Sequence, residues 1–170
     1  MRAVLLALLS LPVIAQSPQY ESPANLKRPS NYRDWYFVGS NLGISYSANA
    51  PKENFFKNIY IPKSAADAFK KSGKFPEKTM LVMEVYKPES EANPAKQGHF
   101  QGKFVGIEVA VKDKSAVAEG WAYYNFIGSN GEQKSTAKAF PKQACWNCHN
   151  EHGSHDNTFV QFYPRLRDKD

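Results

Sequence analysis

Residues 144–149 read Ala-Cys-Trp-Asn-Cys-His, and Cys145 and Cys148 are the only cysteines in the chain. Two thiols two residues apart, with an imidazole directly after the second, suit covalent attachment of one c-type haem. Each thiol can add across a vinyl group of the porphyrin, and His149 can then stand under the iron as its axial ligand. One turn of helix presents Cys145, Cys148 and His149 to one side of a flat macrocycle. The same residues admit two other readings. Cys145, Cys148, His152 and His155 could hold zinc, at a spacing tighter than zinc modules use. The cysteine pair could also close as a disulfide in an oxidising compartment.

The rest of the chain must enclose such a group. Its 170 residues suffice for one domain with a real core, and 42% of them are hydrophobic. Aromatics make up 14%, enough rings to wall an apolar cofactor. The net charge of +6 is scattered, with no lysine or arginine block, so no nucleic-acid partner is implied. A mildly basic surface of this kind could dock an acidic redox partner protein. Residues 1–15 read as a signal peptide: Arg2, an apolar run, then Ala15 before the cut. Export to the periplasm agrees with the cysteine motif. The apolar run is too short to span a bilayer comfortably, so the mature chain is expected to have no membrane span.

Residues 16–30 are rich in Ser, Pro and Asn and read as an exposed lead-in to a domain at 31–170. Residues 32–38 suit a short helix or the start of a strand, and 41–51 a loop. Strands are expected at 54–61, 79–86, 100–111 and 121–127. Gly102 and Gly106 inside the long third one mark a bulge or a close approach. A short helix is expected at 64–71, with Ser64 as its N-cap and Gly73 as its stop. Residues 88–98 read as a polar loop and 135–140 as helical. The cysteine motif is expected on a short helix from about Gln143, and 159–163 should pack the end of the chain. The fold class is α+β, mainly β: an antiparallel sheet with a few short helices and the haem attached near the C-terminus. The long apolar helices of a four-helix bundle are missing.

Function then turns on the other side of the iron. After signal removal the methionines are Met80 and Met83, which face opposite ways on a strand. His152 and His155 follow the motif too closely to reach the far side, and His99 sits in a polar loop. No side chain makes a convincing sixth ligand, so an open site is expected.

Several segments together resemble the cytochrome P460 family. They are Asn31-Tyr32-Arg33-Asp34-Trp35, Asn58-Ile59-Tyr60-Ile61, residues 69–75, residues 106–113, Trp121-Ala122-Tyr123-Tyr124 and residues 156–164, in order and spacing with the cysteine motif. The resemblance implies a mainly antiparallel β fold, a c-type haem with one histidine ligand and a tendency to form homodimers. Its enzymatic members oxidise hydroxylamine and interact with nitric oxide. They carry a lysine bonded to the porphyrin edge, and Met83 stands at that position here. Lys87 lies four strand residues away, roughly 13 Å, so the crosslink is expected to be absent. That brings the chain closer to the uncrosslinked cytochromes c′-β, which bind nitric oxide and similar gases in an apolar, phenylalanine-lined pocket. Phe55, Phe56, Phe100, Phe104 and Phe126 are candidates for that wall or for ordinary core. Lys57 is placed near the distal site by the resemblance, to bond a ligand or a propionate, or else faces solvent. Asn125 could donate to a ligand or cap a strand end. The resulting expectation is a nitric oxide binding protein with possible redox turnover. The alternatives are a hydroxylamine or nitric oxide oxidoreductase and a simple electron-transfer cytochrome.

Overall fold

The computed structural model describes residues 17–45, 54–94 and 96–167. The expected signal peptide at 1–15 and part of the loop at 41–51 lie outside the described residues. The stretch expected as a lead-in is mostly exposed but not structureless. It contributes β1 (Tyr20–Ser22) and β2 (Asn25–Lys27), and Leu26 in the middle of β2 is fully buried. After a single 3₁₀ turn at Tyr32–Asp34 come β3 (Tyr36–Leu42) and β4 (Phe56–Ile61), so residues 32–38 supply both a turn and a strand.

The helix α1 (Lys63–Ser72) follows, capped by Pro62 and not by Ser64. The Pro62 carbonyl accepts the N–H groups of Ala65 and Ala66, which leaves Ser64 inside the first turn. Gly73 ends it in the left-handed conformation, φ 71°, with its N–H on the Phe69 carbonyl. Next are β5 (Met80–Glu89), β6 (Phe100–Lys112) and β7 (Trp121–Asn125). β5 runs through Pro88, beyond its expected end. Two register shifts against β6 there relax the ladder that a proline cannot serve. Gly106 lies at one of them, where a Cβ would meet Ile127 Cγ1 at 2.4 Å. β7 stops two residues early because Asn125 Oδ1 accepts the Ile127 N–H at 2.7 Å.

Residues 135–140 are not helical. They form β8 (Thr136–Lys138), whose Ala137 pairs with Leu26 of β2 and is buried with it. Burial against a partner strand outweighs the local helix preference of this segment. Cys148 and His149 lie on α2 (Trp146–His152), which begins later than Gln143 and has Cys145 as its N-cap, and a 3₁₀ turn at Val160–Phe162 and α3 (Pro164–Arg167) follow.

β3 to β7 form one antiparallel sheet in chain order, and β1, β2 and β8 form a smaller one. This is the expected mainly β class. Among the described residues no helix is long and apolar enough to cross a membrane. The main sheet is covered on both faces. On its back, Val82, Ile107, Val109, Val111, Tyr124 and Phe126 pack against Leu26, Tyr32 and Ala137. On its front, Ile59, Ile61, Leu81 and Tyr123 pack against α1 and the C-terminal segment through Ala65, Phe69, Phe159, Val160 and Leu166. Each buried Val, Leu, Ile or Phe among them contributes about 1.5–3 kcal/mol. Gly39 lets the C-terminal segment come close, since a Cβ there would meet Pro164 Cδ at 3.0 Å and the Phe162 carbonyl at 3.1 Å.

Candidate functional site

The front packing is incomplete. Between the sheet and the C-terminal segment lies a cavity. Lys57 and Ile59 of β4, Leu81 and Met83 of β5, Glu108 and Ala110 of β6 and Tyr123 of β7 line one side. Cys145, His149, Phe140, Phe159, Phe162 and Tyr163 complete it. Cross-strand register explains the sheet side. Ile59, Met83 and Glu108 are direct partners in one row, and Leu81, Ala110 and Tyr123 in the row beside it.

His149 is held on three sides. Its ring lies between those of Tyr123 and Phe159, with centroids 4.2 and 4.3 Å away. Its Nδ1 lies 3.1 Å from the Asn157 carbonyl oxygen. A carbonyl only accepts, so Nδ1 carries the proton and Nε2 keeps the lone pair that a metal would use. Burial pushes the His149 pKa down, opposed by the hydrogen bond that Nδ1–H donates to the Asn157 carbonyl. The neutral imidazole is the ligating form.

The carbonyl that orients His149 is itself fixed. Asp156 and Asn157 both take left-handed conformations, φ 47° and 56°. Asp156 Oδ2 accepts the Phe75 N–H at 2.9 Å and Lys112 Nζ at 2.7 Å, and Lys112 Nζ also donates to the Phe75 carbonyl. Tyr123 hydroxyl donates to the same Asn157 oxygen at 3.0 Å, and burial raises that phenol's pKa further out of reach, keeping it a donor. Gly153 lets the loop fold back on α2, since a Cβ would stand 2.4 Å from the His149 carbonyl.

Both cysteines are unlinked, Cys145 in the cavity wall and Cys148 packed on the front core. Burial first, then the charge of Glu108, raises the Cys145 thiol pKa. The zinc reading loses its geometry. Among the described residues no three His, Cys, Asp or Glu side chains converge to hold a metal. His155 turns to Ser154 Oγ and the Phe69 ring instead.

Of the residues singled out beforehand, Lys57, Met83, Cys145 and His149 meet at the cavity. Phe55 precedes β4 and is not among the lining residues. Phe104 is on the back, 5.3 Å from the Tyr86 ring and beneath the Arg33 guanidinium. Phe126 is fully buried in the back core, Phe56 pairs with Tyr86, and Phe100 is exposed. Asn125 pairs with Glu108 across the strands, but its amide oxygen is spent on Ile127. The aromatic wall comes instead from Tyr123, Phe140, Phe159, Phe162 and Tyr163. Lys87, the nearest strand lysine to Met83, is exposed and away from the cavity.

Sequence reasoning missed Glu108 as a site residue. Its carboxyl lines the cavity, accepts no hydrogen bond among the described residues, and has its pKa raised by burial, with Lys57 pulling the other way. A lone acid inside Val-Gly-Ile-Glu-Val-Ala-Val was the available signal.

These residues fit a haem. There are two unlinked thiols, an imidazole with Nε2 available and a cavity walled by aromatic and aliphatic groups. No curated sequence matches the chain in a similarity search. The family model for cytochrome P460 matches residues 29–160, from β2's end through the cysteine motif to the start of the final 3₁₀ turn. The chain therefore belongs to the cytochrome P460 family, whose members are haem proteins.

Proposed function

We propose that this chain is an exported, periplasmic c-type haem protein with an open distal site that binds nitric oxide or a related small ligand. Cys145 and Cys148 would hold one haem by thioether bonds, and His149 Nε2 would ligate its iron. The bound group supplies a redox-active iron with one free coordination position. The carrying observation is that His149 is the sole histidine lining the cavity, all four being among the described residues. Tyr123 and Phe159 clamp the imidazole plane. Ile59, Leu81 and Ala110 keep water from the sheet side, while Lys57 offers a donor and Glu108 an acceptor. The family adds a homodimer to this reading, and the basic surface an acidic redox partner.

Optical spectra of the purified holoprotein test it. The expected result is an alkaline pyridine haemochrome of c type, a high-spin ferric form and reversible nitric oxide binding to the ferrous form. A low-spin spectrum with a methionine-to-iron band would overturn it in favour of an electron carrier. Met83→Leu would then convert low spin to high spin.

Glu108 favours a second reading, an enzyme that oxidises hydroxylamine without the lysine bond. Removing electrons from hydroxylamine to an outside acceptor releases protons. A half-buried carboxylate with its pKa raised is suited to take one. Turnover of hydroxylamine with an artificial acceptor, lost in Glu108→Gln, would support it. No consumption at any pH removes it.

A further inference from the structure

We infer that Tyr123 is a positioning residue whose hydroxyl competes with His149 for the Asn157 carbonyl and so weakens His149 as an electron donor to the iron. The inference rests on the haem reading of the site. Its basis is geometric: Tyr123 hydroxyl and His149 Nδ1 lie 3.0 and 3.1 Å from one oxygen. Two donors on one carbonyl share its negative charge, so each bond is weaker than it would be alone. The strength of the Nδ1–H bond sets how much electron density reaches Nε2, because a strong acceptor makes the imidazole more basic.

Two features separate this role from plain packing. Phe159 flanks the other side of the imidazole at nearly the same distance with no hydroxyl, so a ring alone suffices to hold the plane. The carbonyl does not need the hydroxyl to stay in place. Asp156 is tied to Phe75 and Lys112, and the Thr158 N–H and hydroxyl both donate to the His155 carbonyl, at 2.8 and 2.7 Å. The hydroxyl of Tyr123 is therefore free to act on the charge of the acceptor and not on its position.

Tyr123→Phe keeps the ring and removes the competing donor. In the ferrous holoprotein the iron–histidine stretching band in resonance Raman spectra should move to higher frequency. The reduction potential should fall, shifting the ferric-to-ferrous ratio at a fixed ambient potential by about fivefold, the worth of one modest hydrogen bond. Asp156→Asn, which loosens the carbonyl, should move the band the other way. An unchanged or raised potential in Tyr123→Phe overturns the inference. So does a shift of both variants in the same direction, which would mark the hydroxyl as merely structural. Failure of the haem reading would look different, since the unmodified protein would then give no c-type haemochrome.

Discussion

Glu84 and Glu108 sit in adjacent rows of β5 and β6 and point to opposite faces of one sheet. On the back, Glu84 is 1% exposed and fully partnered. Tyr32 hydroxyl donates to it at 2.8 Å, Arg33 Nε at 2.6 Å and Tyr86 hydroxyl at 3.3 Å. On the front, Glu108 faces the cavity with no hydrogen bond among the described residues. Burying a carboxylate costs several kcal/mol unless partners offset it. The back face satisfies that demand within the chain, and the front leaves it open for something the cavity receives. The same sheet thus carries a sealed structural core on one side and a chemically unsatisfied wall on the other.

The largest effect should come from breaking the sealed side. Glu84→Ala leaves the buried Tyr32 hydroxyl without its acceptor and releases the largely exposed Arg33 guanidinium, which should cost about 2–3 kcal/mol in denaturant unfolding. If the loss is under about 1 kcal/mol, the back network is not what holds that face.

A third carboxylate sharpens the contrast through pH. Asp113 is 1% exposed and bonded to Lys78, Ser115 and Tyr20. Burial alone would raise its pKa, but those partners bring it down to about 2. Its folded value is lowered, so its stabilisation is full above the ordinary carboxylate range and is lost as pH falls toward 2. The expected loss is on the order of 2 kcal/mol. Glu108 runs the other way. Its folded value is raised, so its penalty is present at neutral pH and is relieved in acid. Unfolding curves of Asp113→Asn against the parent should converge at low pH, whereas those of Glu108→Gln should diverge most at neutral pH.

The smallest effect should therefore be on stability in Glu108→Gln. At pH 7 it should be neutral or stabilising by less than about 1 kcal/mol, while ligand affinity or hydroxylamine turnover of the holoprotein changes several-fold. A destabilisation of 2 kcal/mol would place Glu108 with Glu84 as a structural group.

Much of this arrangement is legible in the residue order. β4, α1, β6 and β7 lie close to their expected places, because aromatic and β-branched runs, the stop at Pro62 and the helix end at Gly73 are local signals. What was misread depended on distant partners. Residues 136–138 became a strand because Leu26, far away in the chain, offered a buried partner. The phenylalanines stayed open between cavity wall and ordinary core for the same reason. Alternation assigns a face to each strand residue but not which face holds the cavity, and Phe104 and Phe126 fell on the sealed side.

The residue order by itself determined that two thiols and an imidazole stand together, because Cys145, Cys148 and His149 within five positions need no distant partner. It likewise determined that a methionine stands at position 83. Only the tertiary structure decided how His149 is aimed and what faces it. The Asn157 carbonyl is 8 residues from His149 and 34 from Tyr123 along the chain. The Glu108 carboxyl reaches the cavity through strand register alone. Orientation and electrostatics of this kind arise from contacts that folding brings together, and no local pattern encodes them.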